Sequence, residues 1–485
     1  MKNALQNLEP KNIWNNFSKL NAVPRASKKE ERVIKFMYDF GINLGLETLI
    51  DRTGNVIIVK PATPDMEDRK TVILQSHLDM VHEKNNDVDF DFDKSGIKMY
   101  VDNDWVRAEG TTLGADNGLG VATIMSVLEN NEISHPRLEA LFTVDEETGM
   151  TGALQLEKNI LNGEILLNLD TEEDDEIGIG CAGGVDITLT NKFEVSTNHD
   201  LLFIKITLNG LSGGHSGMEI HKDLGNSNKL LNSIIKDLND RFVINLAEIN
   251  GGGLRNAIPR ESSFTIGINA SDFENIKIHS QKLFSIIKNK CAVTDPFVKL
   301  DIVKLNETFK ALKSESQRNL LTLIEACPNG VYKMSDNIPG LVETSNNLAN
   351  IQLKQGDLTI KCLTRSSDEP SKEELKNVIK SLFVEYNYSV DFSGDYPGWQ
   401  PNMESEILTK LIEVYKKLNN SDPNVAACHA GLECGIIGSH YPKLDMISFG
   451  PTIRGAHSPD ERASIKSTIK FWKFLKEVLL NIPLK

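Results

Sequence analysis

Short apolar runs and helical stripes alternate along the first 185 residues of this 485-residue chain. TVILQ (Thr71–Gln75), LFTV (Leu141–Val144) and ILLNL (Ile165–Leu169) have the length and composition of buried strands. Between the first two, Val121, Met125 and Leu128 recur at helical spacing in a helix that starts at Asn117. This alternation predicts an α/β sheet covered by helices. From residue 186 to 397 the texture changes. Ile204, Ile206 and Leu208 alternate with polar residues, as do Phe264, Ile266 and Ile268, and Leu358, Ile360 and Cys362. These predict an inserted α+β domain. Two of its stretches, NAIPRESSFTIGINAS from Asn256 and NLANIQLKQGDLTIKCLTRS from Asn347, resemble each other and suggest a tandem of two similar layers. Beyond residue 398 the first style returns, with Ile407, Leu411, Val414 and Leu418 on one helical stripe and a strand at Asp445–Phe449. The expected organisation is one domain in two pieces, 1–185 and 398–485, interrupted by a second at 186–397.

The strand ends carry the chemistry. His77 and Asp79 follow the first strand, Glu146 and Glu147 the second, and Asp170 the third. Open α/β sheets build their sites at the carboxyl ends of strands. Asp116, at the helix entrance, can face the same edge, and His457 in GPTIRGAHSPDE must reach it from more than 280 residues downstream of Asp170. Imidazoles and carboxylates in this order suit a pair of metal ions with open positions for water and substrate.

Each motif alone also has an ordinary reading. SHLDM can be a structural histidine beside a solvated aspartate, or a ligand with the carboxylate that orients it. GADNGLG around Asp116 reads equally as a turn and helix cap. VDEETGMTG reads either as a solvated acidic loop or as two adjacent carboxylates that share work, Glu147 binding metal and Glu146 moving protons. Asp170–Glu176 holds six acidic residues, of which Asp170, directly on the strand, is the ligand candidate and the rest read as solvated charge.

Composition removes other classes. A net charge of −15 argues against a nucleic-acid groove, which needs clustered Lys and Arg. No apolar run approaches the roughly 18 residues of a membrane span, and the first residues lack a signal-peptide core, so the expected location is cytoplasmic. Six scattered cysteines read as reduced thiols. HExxH is absent, and GGHSG is not a serine-nucleophile elbow. His82, His135, His199, His221, His279, His429 and His440 lack a partner pattern and are expected at the surface or in structural roles.

Taken in order, SHLDMV, GADNGLG, DEETGMTGA, LNLDTEE, GLSGGHSG, RNAIPRE, HAGLECG and GAHSPDE resemble the dizinc dipeptidase and aminoacylase family of metallopeptidases over essentially the whole chain. The resemblance implies a discontinuous phosphorylase/hydrolase-like catalytic domain with an inserted α+β lid. It implies two divalent ions, Zn²⁺ first with Mn²⁺ or Co²⁺ as alternatives: His77 and Asp170 on one, Glu147 and His457 on the other, and Asp116 bridging through a cis peptide to Asn117. Asp79 would orient His77, and Glu146 would be the general base toward a metal-activated water. In the lid, His215 of GGHSG would stabilise the oxyanion, and Asn256 and Arg365 would hold the substrate backbone or carboxylate. Arg365 falls on the more polar side of its strand, and Gly431 would let backbone approach the ligand. The implied substrates are small L-dipeptides, Xaa-His dipeptides among them. An aminoacylase, a tripeptidase and a catalytically silent scaffold are the alternatives. The large insertion leaves two readings open, a homodimer surface and a lid that replaces a partner subunit.

Overall fold

Four apolar runs form the parallel centre of one sheet. In this computed structural model, which describes residues 5–485, Leu138–Thr143, Val72–His77, Ile165–Asn168 and Asp445–Ser448 lie side by side in that order and run in one direction. Glu47–Ile50 and Val56–Lys60 extend the sheet antiparallel on one side. Glu176–Cys181 and Asn424–Cys428 extend it on the other. The three central strands before residue 180 are buried along their whole length, which is why they read as continuous apolar runs.

Helices Glu31–Asn43, Ala115–Glu129 and Glu406–Asn419 pack on this sheet. Ala115–Glu129 is buried on nearly all sides and lies against the strand Val72–His77. Glu406–Asn419 buries Ile407, Leu408, Leu411, Val414 and Tyr415, but Leu418 of the expected stripe is 38% exposed because it falls in the last turn. A smaller sheet orders Ile453–Arg454, Arg462–Ser464, Trp105–Ala108 and Met99–Asp102. Its first two strands make a hairpin, pinned by Arg462 opposite Arg107 and Ala463 opposite Val106, with His457 in the connecting loop.

The chain divides into two compact units. One runs through Gly180 and resumes at Trp399–Ala427 and Leu432–Lys485; the other is Cys181–Gly398 with Cys428–Gly431. The second unit is a nine-stranded antiparallel sheet with helices Ser227–Arg241, Phe273–Lys290, Ser314–Ala326 and Glu369–Val384. Ile204, Ile206, Phe264, Ile266, Leu348 and Ile360 stand in its apolar core. The two similar stretches each give a strand followed by a helix, Ser262–Ile268 with Phe273–Lys290 and Asp357–Ser366 with Glu369–Val384. They do not form two layers. Ile244–Gly252 pairs with Val342–Lys354, Ile249 opposite Leu353, and this joins both halves into one continuous sheet.

Gly120 lets the helix Ala115–Glu129 sit against the strand ends. A Cβ there would lie 2.5 Å from Ser76 Oγ and 2.6 Å from the Leu169 carbonyl oxygen. Alanine in a helix gains about 1 kcal/mol over glycine, whereas overpacking against fixed backbone costs about 1–3 kcal/mol. Gly120→Ala is therefore expected to lower the urea midpoint of the metal-free protein, and a raised midpoint would show that the contact yields.

Candidate metal centre

Because the central strands are parallel, their carboxyl ends share one edge, and the expected residues collect there. His77 ends Val72–His77, Glu146 and Glu147 follow Leu138–Thr143, and Asp170 follows Ile165–Asn168. The hairpin beyond Asp445–Ser448 brings in His457, which has a left-handed backbone (φ 63°). Asp116 enters from the start of its helix, and the Asp116–Asn117 peptide is cis, as expected. The Asn117 amide then donates to the Leu169 carbonyl at 2.7 Å, tying this turn to the strand that carries Asp170.

Asp116 divides its carboxylate between two histidines. Oδ1 lies 3.2 Å from His77 Nε2, and Oδ2 lies 3.2 Å from His457 Nε2. His77 Nε2 is also 3.6 Å from Asp170 Oδ1, and His457 Nε2 is 3.0 Å from Glu147 Oε2. Two sets of donor atoms result, His77/Asp116/Asp170 and Asp116/Glu147/His457, each with its atoms within 4.8 Å of one another. Glu146 lies within the same distance of His77 and Glu147.

The electrostatics call for positive charge. Hydrogen bonds to Asp116 and Glu147 push His457 up to about 11. Burial pulls His77 down, but Asp170, Asp116 and Asp79 carry it well above its usual value. Burial pushes Asp170 up to about 6 despite His77, and burial with Asp170, Glu433 and Glu147 nearby pushes Glu146 well above the carboxylate range. Glu147 Oε1 is buried with no hydrogen-bond partner among the described residues. Oxygen and imidazole donors this close, with an acceptor left over, fit a divalent ion in each set.

Supporting groups hold the donors. Asp79 is fully buried and faces His77 Nδ1 at 3.4 Å. It also accepts the backbone N–H groups of Glu146 at 3.0 Å and Glu147 at 3.3 Å, and the Ser27 hydroxyl at 2.8 Å. One carboxylate thus faces a candidate ligand and holds the backbone of both adjacent glutamates. Beneath His77, buried Glu433 accepts from Gln75 at 2.6 Å and from Thr143 at 2.7 Å. Ser27, Gln75 and Glu433 carry no local sequence signal for these roles, because their contacts link distant segments.

Residues 73–481 match Peptidase family M20/M25/M40. The chain belongs to this family. It is 41% identical over 484 residues to the cytosol non-specific dipeptidase of Escherichia coli K12, covering 99% of both chains. The solved aminoacylhistidine dipeptidase of Vibrio alginolyticus superimposes with a TM-score of 0.93 at 38% identity, covering 99% of this chain and 98% of that one. Aminopeptidase PepT of Bacillus cereus shares the fold at a TM-score of 0.57 and 16% identity, covering 97% and 98%.

In the second unit of this M20 chain, His215 Nδ1 accepts the N–H groups of Gly217 at 3.1 Å and Met218 at 3.0 Å. That fixes the neutral tautomer with the proton on Nε2, a donor. Burial and the nearby Arg365 charge lower its proton affinity and keep it neutral. The short strand Gly214–His215 pairs with Ala257–Ile258, and the carbonyl of exposed Asn256 accepts from Ser216 N at 2.8 Å. His215 and Asn256 line one cavity of about 570 Å³.

Arg365 is buried, contrary to the expected polar side, because its strand is covered there on both faces. Its Nη1 donates to the Tyr396 hydroxyl at 3.0 Å, and Nε has no partner among the described residues. The space left by Gly431 is taken by the Tyr396 ring, since a Cβ would meet it at 2.9 Å. His429 is buried, and its Nε2 is 2.7 Å from Ser345 Oγ. Its surroundings within this unit include Arg365 and His215.

With divalent ions supplied, the wild-type chain is expected to retain two per chain after dialysis, His457→Ala one, and Asp116→Ala neither at full occupancy. Metal analysis that finds both sites filled in Asp116→Ala would remove the shared ligand. A second expectation concerns acid stability. Burial, with Arg365 beside it, pushes His429 down to about 3. The unfolded chain takes up this proton near pH 6.5 and the folded chain only near 3, so stability is lost as pH falls through that window. Between pH 7 and pH 5 the loss is about 2 kcal/mol. His429→Asn is expected to remove that part of the slope in urea unfolding; an unchanged slope would mean the folded histidine takes its proton at the ordinary pH.

Proposed function

We propose that this chain is a metal-dependent dipeptidase that cleaves small unblocked L-dipeptides, Xaa-His dipeptides among them, with Zn²⁺ as the working ion and the cytosol as its location. The observation that carries the reading is the Asp116 carboxylate divided between His77 and His457, with Glu146 within 4.8 Å of His77 and Glu147. The names of the Escherichia coli and Vibrio alginolyticus relatives, which match nearly the whole chain, support the substrate class. The first of those names supports the location. Among the described residues no helix is long and apolar enough to cross a membrane.

When bound, two divalent ions lower the pKa of a water and polarise the scissile carbonyl. Glu146 takes the proton released by that water and passes one to the departing amine. Burial raises its proton affinity, which suits a group that must accept and then donate. Asp79 keeps Glu146 and Glu147 in register through their N–H groups and holds the His77 ring. His215, neutral with its Nε2 proton free to donate, is the proposed oxyanion donor. Asn256 is assigned to the substrate backbone and Arg365 to the substrate carboxylate, for which a guanidinium with an unused Nε is suited. Gly431 shapes this region by admitting Tyr396, the hydroxyl partner of Arg365.

The test is a substrate panel of Ala-His, β-Ala-His, Leu-Gly, a tripeptide and N-acetyl-Leu with zinc-loaded protein. Cleavage confined to dipeptides is expected. Activity only on the tripeptide or the acylated amino acid would move the chain to the tripeptidase or aminoacylase reading. Glu146→Gln is expected to keep its metal and lose roughly 10²- to 10⁴-fold in turnover, and near-normal turnover would exclude it as the base. Arg365→Ala is expected to harm substrates with a free carboxylate more than their amides; equal losses would place that carboxylate elsewhere.

A further inference from the structure

Two buried opposite charges stand behind the metal centre without joining it. Glu461, 2% exposed, accepts four consecutive backbone N–H groups. Leu113 at 2.7 Å and Gly114 at 2.8 Å donate to Oε2, and Ala115 at 2.7 Å and Asp116 at 3.1 Å donate to Oε1. With two donors on each oxygen, a proton on either would face an N–H group, so these contacts favour the carboxylate against burial and the Asp116 charge, which push Glu461 up to about 7. Arg25, 1% exposed, donates to the carbonyls of Leu78 at 3.0 Å, Asp79 at 2.9 Å and Gly114 at 2.5 Å, and to Asn21 Oδ1 at 3.0 Å. The Gly114 residue is thus held at its N–H by one charge and at its carbonyl by the other.

The helix Ala115–Glu129 has no side-chain cap from its own N-terminal residue, Gly114. The element is kinked at its start, where Asp116 and Asn117 are non-helical, and the N–H groups of this kinked turn are held by a carboxylate from more than 340 residues away. The glycines of GADNGLG make room for the partner. A Cβ at Gly114 or at Gly118 would come within 2.5 Å of Arg25 Nη2. Glu461 lies four residues beyond His457, so one hairpin delivers both a candidate ligand and this anchor.

We propose that Glu461 and Arg25 are positioning residues of the metal centre. They touch no donor side chain and set Asp116 and the His77 strand end through backbone groups alone. The inference rests on Asp116 and His77 binding metal. A merely structural pair would support folding and leave zinc affinity unchanged. A positioning pair sets zinc affinity as well.

The experiment titrates zinc into metal-free protein against a competing chelator, with hydrogen exchange at residues 78–79 and 113–116 and with kcat and KM measured separately. The variants are Glu461→Gln, Arg25→Lys and a control, Glu139→Gln. Glu139 is a buried carboxylate that accepts the N–H groups of Asn162 and Gly163 at 2.8 and 3.0 Å. The first two variants are expected to bind zinc roughly 10- to 100-fold more weakly, the usual effect of losing a group that orients a ligand. They should also exchange faster at 113–116 and lose kcat more than KM. The control should lose stability and keep wild-type zinc affinity. Wild-type zinc affinity in both variants would overturn the proposal; if Glu461→Gln does not fold, Arg25→Lys decides. If Asp116→Ala binds zinc as the wild type does, the metal reading itself has failed, and the positioning role with it.

Discussion

Carboxylates repel, and this chain brings Asp116, Glu146, Glu147 and Asp170 together at one edge of a sheet. Such a cluster is tolerable when positive charge sits inside it or when some of its members keep a proton. In the protein alone His77 and His457 supply that charge by taking up protons far more readily than free histidine. Metal ions meet the same demand with the same oxygen and nitrogen donors. The division of Asp116 between the two histidines makes this one shared centre instead of two separate ones.

The scaffold meets the demand by rigidity. Donors leave from the ends of buried parallel strands, where the backbone cannot move without opening the sheet. Their connecting turns are then fixed by carboxylates that accept backbone N–H groups, Asp79 for residues 146–147 and Glu461 for residues 113–116. The His457 hairpin is pinned to the strand Trp105–Ala108, close in sequence to Asp116. Segments more than 340 positions apart therefore meet at Asp116.

Much of this was legible in the residue order. His77, Glu147 and Asp170 each follow an apolar run, so strand ends and donors announced one another. Asp116 was not legible locally, because GADNGLG satisfies a turn and a ligand loop equally well, and only its relation to two distant histidines separates them. Arg25 left no mark, and Glu461 closes the GAHSPDE motif without showing a role, since their partners are backbone groups in distant segments. His429 lacked a sequence partner because Ser345 lies 84 positions away. The similarity between the two halves of the inserted unit was visible, but their fusion into one sheet depends on strand pairing that similarity does not encode.

The central claim, two ions sharing Asp116, is met most directly by X-ray absorption fine structure on protein loaded with two equivalents of zinc. The account predicts a metal–metal vector at about 3.5–4 Å, with oxygen and imidazole neighbours, that is lost in Asp116→Ala. A spectrum with no metal–metal vector, or one unchanged by that substitution, would contradict it.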